Sequence, residues 1–180
     1  MRKVFILLFL SFNISSVFAT TVESKLNTAI SNIASAIEDI SDSQDSVIKI
    51  PVTSEMSKES VEEAMESIAT SMGVRSVGML PISEMLELST DSKQRFHKAF
   101  QYLDIRDSMD LMNYSTKLST VYPISIHLVE GISGQLWLTT TDIQSTISQH
   151  QTSPKYIKEI LYRAKATAQK IMNSGATGNF

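Results

Sequence analysis

Three histidines, His97, His127 and His150, are the residues of this sequence best suited to metal or haem chemistry. A neutral imidazole is a common ligand of transition metals and haem iron, and its charge changes near neutral pH. None of the three stands at the close spacing of a local metal motif, so the pattern is only weakly specific. If His97 and His127 lie on neighbouring strands they form a candidate site, whereas surface or structurally bonded histidines are the simpler interpretation.

The sequence excludes several other kinds of catalytic or redox site. It contains no cysteine, which removes disulfides, thiol catalysis, zinc–thiolate sites and iron–sulfur ligation. It also lacks the Gly-x-Ser-x-Gly motif of hydrolases and a glycine-rich phosphate loop. An enzyme acting on a small molecule is therefore the weakest hypothesis, and no particular cofactor is indicated.

Trp137, the only tryptophan of the chain, defines a candidate interaction face. Strand alternation places it on the side opposite Leu136 and Leu138. Together with Tyr102, His127 and Val129 it would line an exposed apolar patch suited to a protein partner or a small ligand. For a lone tryptophan a core position is the more common one, because tryptophan is usually largely buried.

These residues are positioned by a predicted β-hairpin over residues 121–140. Apolar side chains alternate with polar ones on both strands, at Ile124, Ile126 and Leu128 and again at Leu136 and Leu138. Two glycines in the link between the strands, Gly131 and Gly134, supply the positive-φ positions that a tight reversal needs. Pro123 stands at the strand entry, where a missing N–H group is tolerated.

The first 19 residues have the pattern of a secretory signal peptide. Arg2 and Lys3 precede an almost unbroken apolar run over residues 4–12, and Ala19 ends a suitable cleavage site. The run is too short to span a bilayer comfortably, although an uncleaved anchor is the alternative. We therefore expect a periplasmic protein without a transmembrane segment after cleavage.

The mature chain is mildly acidic. Without Arg2 and Lys3 it keeps 14 basic and 19 acidic residues, a net charge of −5. It has no basic patch with interleaved aromatic residues, which argues against nucleic acid as a partner. Its length fits one domain with a real core.

Residues 20–46 are predicted to form an amphipathic helix followed by an acidic linker. Apolar side chains recur every three or four residues in 22–41, at Leu26, Ile30, Ile33, Ile37 and Ile40. This helix either lies on the domain or serves as a dimerisation arm. An acidic, serine-rich link over 38–45 separates it from the first predicted strand.

Residues 47–180 are predicted to form an α+β domain. Strands alternate with helices and end in the hairpin and a last helix, an order typical of a single twisted, mostly antiparallel sheet with helices mainly on one face. Ser57 and Asp104 are expected to cap helices. Residues 82–86 are expected to form a short helix, 89–94 a polar loop, and 173–180 a tail of small residues.

The stretch FHKAFQYLDIRDSMDLMNYSTKLSTVYPISIHLVEGISGQLWLTTTD, residues 96–142, resembles the domain-of-unknown-function 302 family. The likeness is carried by the strand into Asp104 with its capped helix, by Pro123, and by the run E-G-x-x-G-x-L-W-L at 130–138. SVEEAMESIATSMG at 60–73 and the ending MNSGATGNF are similar to further segments of that family. The resemblance covers roughly residues 47–180.

The resemblance implies a compact α+β domain, often dimeric, without an established activity. Members of the family often have cysteine at the positions of Leu103 and Ile124, so a thiol-based role is not expected for this chain. The chain also has Asn179 where the family ending has an acidic residue.

Two functions are therefore kept open. The leading hypothesis is an uncharacterised periplasmic protein that acts as a non-enzymatic binding or interaction module. In this hypothesis the chain is a homodimer, through the sheet or through the 22–41 helix. The alternative is a histidine-based metal- or haem-binding protein in periplasmic redox handling.

Overall fold

The computed structural model describes residues 24–30 and 46–179. The predicted signal peptide 1–19 and the acidic linker 38–45 lie outside the described residues, as does most of the predicted helix 22–41. Residues 24–30 are helical (α1), and the side chains of Leu26 and Ile30 are exposed. They belong to a different compact unit from the remaining described residues.

Strands and helices alternate along the second unit. They are β1 (Val47–Pro51), α2 (Lys58–Ser71), β2 (Arg75–Leu80), α3 (Ile82–Thr90), β3 (His97–Leu103), α4 (Ile105–Tyr114), a 3-10 helix (Thr116–Thr120), β4 (Ile124–Glu130), β5 (Leu136–Thr141), α5 (Gln144–Gln149) and α6 (Lys155–Thr177). The strands form one sheet in the order β1-β5-β4-β3-β2, and every neighbouring pair is antiparallel. The predicted α+β class and the β4–β5 hairpin are confirmed.

One face of the sheet forms the core with the helices. Helix α6 packs along α2 and contacts β1, β4 and β5. Alternate strand residues are buried on this face, among them Phe100, Tyr102, Ile124, Ile126, Leu128 and Leu138. Burying these large apolar side chains is the main source of stability for a domain of this size.

The other face of the sheet lies outside this core. In β4 the side chains alternate between buried and half-buried, as expected for a sheet covered on one side. We define the outer face by seven of the side chains that the strand register places on this second side: His97, Gln101, Ser125, His127, Val129, Trp137 and Thr139. These seven are half-buried, whereas Ala99, which pairs with His127 on the same side, is buried.

Both predicted helix caps are present. The Ser57 hydroxyl accepts a hydrogen bond from the Ser60 N–H group at the start of α2. The Asp104 carboxylate accepts one from the Asp107 N–H group at the start of α4. Each bond satisfies a backbone donor that the first turn of a helix leaves unpaired.

The prediction for residues 82–94 was partly wrong, because α3 continues to Thr90. The hydroxyls of Ser89 and Thr90 donate to the Leu86 carbonyl and so support the last turn. The helix ends at Asp91, whose φ of 52° is left-handed. Polar residues that suggested a loop therefore form the end of a helix.

The prediction of a small-residue tail at the C-terminus was also wrong, since α6 extends through these residues to Thr177 and ends at Gly178. Gly175 explains why small residues are needed in this last turn. A Cβ atom at this position would stand 2.6 Å from Met65 Cγ and 3.0 Å from Leu138 Cδ1. The missing side chain lets α6 approach both α2 and the sheet.

None of the helices within 24–30 and 46–179 has the combination of length and apolar character that crossing a membrane requires.

Candidate functional site

The outer face brings His97 and His127 into direct contact. Strands β3 and β4 are neighbours, and their register pairs Ala99 with His127 and His97 with Val129. The two imidazoles are therefore diagonal neighbours, with ring centroids 5.3 Å apart. His97 Nε2 lies 3.0 Å from His127 Nδ1, within hydrogen-bond distance.

Ser83, in the first turn of α3, holds the backbone of His97. Its hydroxyl accepts a hydrogen bond from the His97 N–H group at 3.2 Å and donates to the His97 carbonyl at 3.4 Å. Ser83 is buried, so this contact is shielded from water. The serine therefore holds the backbone of His97, the first residue of β3, and so fixes the point from which the imidazole projects.

The His97–His127 hydrogen bond constrains the charge of the pair. It forms only when one of the facing nitrogens carries a proton and the other offers a lone pair. Burial lowers the pKa of His127, and the nearby charge of His97 lowers it further. The pair therefore resists taking up a second positive charge.

Trp137 lies on the same face, one strand further along. It pairs with Val129 of β4, and the Lys49 ammonium stands 4.0 Å from the centre of its ring. This is the geometry of a cation–π contact. The indole Nε1 is buried and has no hydrogen-bond partner within the described part of the chain. Trp137 is thus neither a core residue nor a fully exposed one.

The structure separates Tyr102 from the other two residues of the predicted interaction face. Tyr102 pairs with Ile124 and is 1% exposed, on the helix-covered side of the sheet. Its placement beside His127 and Trp137 was therefore wrong. In β3 it shares its side with Phe100, and this alternation is the sequence signal that identifies its orientation.

His150 follows α5, where its Nδ1 is 2.8 Å from the Thr146 carbonyl oxygen. That contact closes the end of a short helix and accounts for one ring nitrogen. His97 and His127 are thus brought together by two neighbouring strands, while His150 belongs to a separate, local interaction.

The His97–His127 pair has the spacing of two adjacent metal ligands. Imidazole nitrogens bind zinc at about 2.0–2.1 Å, so two adjacent ligands of one ion lie about 3 Å apart. The observed separation is 3.0 Å. Among residues 24–30 and 46–179, no group of three or more His, Cys, Asp or Glu side chains is arranged around a common point. To bind an ion, both facing nitrogens would have to be deprotonated and turned from each other toward a common point. The pair would then supply two ligands, and water or another molecule the rest.

Comparisons with known proteins bear on the fold. No family model matches the sequence, and no curated protein matches it either. Among solved structures, the chain is similar to the crystal structure of an uncharacterized conserved protein, DUF302, from Bacillus stearothermophilus. The TM-score is 0.60 with 9% identity, over 72% of this chain and 98% of that one. This likeness establishes a shared fold.

Proposed function

We propose that this chain is a secreted member of the domain-of-unknown-function 302 family and acts as a non-enzymatic binding or interaction module in the periplasm. Two observations support the family assignment together: the fold shared with the DUF302 structure, and the run E-G-x-x-G-x-L-W-L at 130–138. The signal-peptide pattern of residues 1–19 supports the location.

The outer face is the observation that carries the binding role. It presents Trp137, Val129 and the histidine pair side by side on adjacent strands of a rigid sheet. Val129 and Trp137 do not belong to the buried core cluster of the described residues. Aromatic and apolar side chains on such a half-exposed surface are typical anchors of protein interfaces.

The buried indole N–H group of Trp137 adds to this argument. A buried donor without an acceptor costs roughly 1–3 kcal/mol compared with one that is hydrogen-bonded. Because Nε1 is itself buried, an acceptor on a partner can reach it only if the indole turns outward, so the unpaired donor supports the binding role only through that rearrangement.

The partners we propose are a second copy of the chain and a further protein or small ligand on the outer face.

Site-specific cross-linking tests the role of the outer face. A photoreactive residue is introduced at Thr139, which lies beside His127 on the outer face, and a matched one at Glu159, which is exposed on α6. In the periplasm of the native host we expect one discrete adduct from position 139 that disappears on Trp137→Ala. Equal labelling from both positions, or none from position 139, would remove the outer face as a binding surface.

Metal binding by His97 and His127 is the second candidate function, because their nitrogens have the separation of adjacent ligands. The two axial ligands of one haem iron lie on opposite sides of the porphyrin. Two imidazoles in mutual contact therefore suit a divalent cation better than haem.

Native mass spectrometry with a visible absorption scan separates the two candidates. The mature chain is purified from a periplasm without chelators, beside His97→Ala, His127→Ala and the control His150→Ala. The leading proposal expects no stoichiometric metal or haem mass in any of the four. A metal mass that His97→Ala and His127→Ala lose, and His150→Ala keeps, would establish the second candidate and displace the first.

A further inference from the structure

Strand β2 is an edge of the sheet with exposed apolar side chains. It pairs with β3 on one side, and within the described residues no strand lies on its other side. Val77, Met79 and Leu80 are 48%, 51% and 47% exposed. Its one charged residue is Arg75, at the start of the strand. An exposed edge of this composition is a ready template for pairing with another strand.

The opposite edge of the sheet is protected. Strand β1 contains Lys49 and ends at Pro51, which lacks an N–H group to donate. Lysine and proline are the usual means of preventing edge-to-edge pairing. In β2, neither occurs between Ser76 and Leu80, and a proline, Pro81, stands directly after the strand. Its bulge lies at Val77, and Gly78, Met79 and Leu80 follow in regular register with β3.

We infer that β2 pairs antiparallel with β2 of a second copy of this chain, about a two-fold axis at Met79. This inference rests on the proposed homodimer and assigns its interface. The axis places each Met79 against its own copy and each Leu80 opposite the partner's Gly78. Gly78 has no side chain of its own, and the position of its missing Cβ atom lies 2.9 Å from Gln101 Oε1, so the partner's Leu80 would pack beside the Gln101 side chain.

The charges on and near the strand agree with this pairing. Two antiparallel copies bring no like charges together between Ser76 and Leu80, because these residues are uncharged. Arg75 extends beyond the paired residues, toward the partner's α3. The first turn of that helix carries Glu84, an acidic residue that complements the guanidinium.

A two-fold axis between antiparallel strands of one sheet stands perpendicular to the sheet. It therefore keeps both outer faces on the same side of a continuous ten-stranded sheet. Dimerisation through β2 leaves both copies of Trp137 and of the histidine pair accessible. The dimer contact and the proposed binding surface are thus separate parts of the molecule.

Cysteine cross-linking tests the interface directly, because the native chain has no cysteine. The test uses the full-length protein with Met79→Cys, and with Leu88→Cys as the matched control, since Leu88 is 90% exposed on α3. Opposed residues of an antiparallel pair have Cβ atoms about 4.5–5.5 Å apart, so a small movement brings them to the spacing of a disulfide bond. We expect mild oxidation to produce a covalent dimer from Met79→Cys and not from Leu88→Cys.

A charge substitution provides the second measurement. Met79→Lys places two ammonium groups opposite each other and is expected to raise the dimer dissociation constant at least about tenfold in sedimentation. Leu88→Lys adds the same charge away from the strand and should leave the constant unchanged. Thermal unfolding of both variants checks that the monomer remains folded.

The outcomes separate this inference from the proposed function. A wild-type dimer that Met79→Lys does not weaken but Val129→Lys does would place the contact on the outer face and overturn the inference while keeping the homodimer. A wild-type monomer at every concentration would remove the homodimer itself. Cross-links from Met79→Cys to another protein only would also overturn the inference, since a different partner would occupy the edge.

Discussion

Asp107 and Arg163 join α4 to α6 through two parallel hydrogen bonds. Arg163 Nε donates to Asp107 Oδ2 and Nη2 donates to Oδ1, both at 2.7 Å. The Asp107 side chain is 6% exposed, whereas that of Arg163 is 54% exposed. The carboxylate thus depends mainly on the guanidinium for compensation, with a further hydrogen bond to the Tyr122 side chain.

Arg163→Ala is expected to lower the free energy of unfolding by about 1–3 kcal/mol, since it leaves the Asp107 carboxylate buried without its partner. The figure lies below that for fully buried pairs because Arg163 is half exposed. Urea unfolding measures it, with Lys155→Ala as the control. Lys155 forms a surface pair with Glu159, so its loss should change little. Equal effects of the two substitutions would show that the Asp107 contact is unimportant.

His127 should titrate below its usual pKa of 6.5, because burial and then the charge of His97 disfavour its protonated form. The pKa is lower in the folded than in the unfolded chain, so this contribution to stability is present above pH 6.5 and falls as the pH drops through the folded pKa. NMR titration of the imidazole measures the shift.

His97→Gln is the informative variant for this titration. It removes the smaller cause, the charge of His97, and keeps burial. The pKa of His127 should therefore rise and remain below 6.5. A wild-type His127 that titrates at or above the usual value would contradict both the burial of its imidazole and the effect of His97.

Two buried tyrosines predict a loss of stability in alkali. Burial raises the pKa of Tyr102, with Glu66 and Glu62 adding to it, and burial followed by Asp107 raises that of Tyr122. Both folded values lie above the unfolded value, so the stabilisation is present below about pH 10 and is lost as pH rises beyond it. Above about pH 10, each tyrosine should lower the free energy of unfolding by about 1.4 kcal/mol per pH unit.

The free energy of unfolding, measured at one pH below about 10 and at one above it, tests this expectation. Tyr122→Phe keeps the ring and removes the ionisable group, so it should abolish about half of the alkaline slope. A slope that Tyr122→Phe leaves unchanged would mean that other groups cause the alkaline loss.

Gly175→Ala should destabilise the protein although alanine favours helices. The new methyl group would stand 2.6 Å from Met65 Cγ, in a part of the core where Met65 is fully buried. Overpacking costs about 1–3 kcal/mol, and the higher helix propensity of alanine returns about 1 kcal/mol. We expect a net loss of about 1 kcal/mol in thermal or urea unfolding.

Met65→Ala provides the background that tests the cause. It removes the Cγ atom against which the methyl group would press. In that background Gly175→Ala should cost less than in the wild type, because only the contact with Leu138 Cδ1 at 3.0 Å remains, so the two substitutions are non-additive. An unchanged cost in both backgrounds would attribute the effect of Gly175 to something other than close packing.

Local sequence patterns predicted the elements, because their causes are local. The hairpin followed from alternating side chains and from Gly134, whose φ is 86°, whereas the positive φ predicted for Gly131 was wrong. The caps at Ser57 and Asp104 followed from the preferences of helix starts. The His97–His127 contact depends on which strands are neighbours and on their register, and neither is encoded within a short window.

Two further features depend on distant partners in the same way. Ser83 and His97 are separated by a helix and a loop, and nothing near either residue in the sequence indicates their hydrogen bonds. Gly175 resembles a flexible tail residue until Met65 and Leu138 are seen against it. Tyr102 is different, since the alternation within β3 was sufficient to place it beside Phe100 in the core.

The alternation of β4 divides its residues into two sets with different evolutionary freedom. Ile124, Ile126 and Leu128 are constrained by the volume of the core, so most substitutions there are selected against through folding. Ser125, His127 and Val129 project from the same backbone without filling that volume. Changes to this second set would alter the proposed binding surface with little effect on folding, so one scaffold could acquire different surface properties while its architecture is conserved.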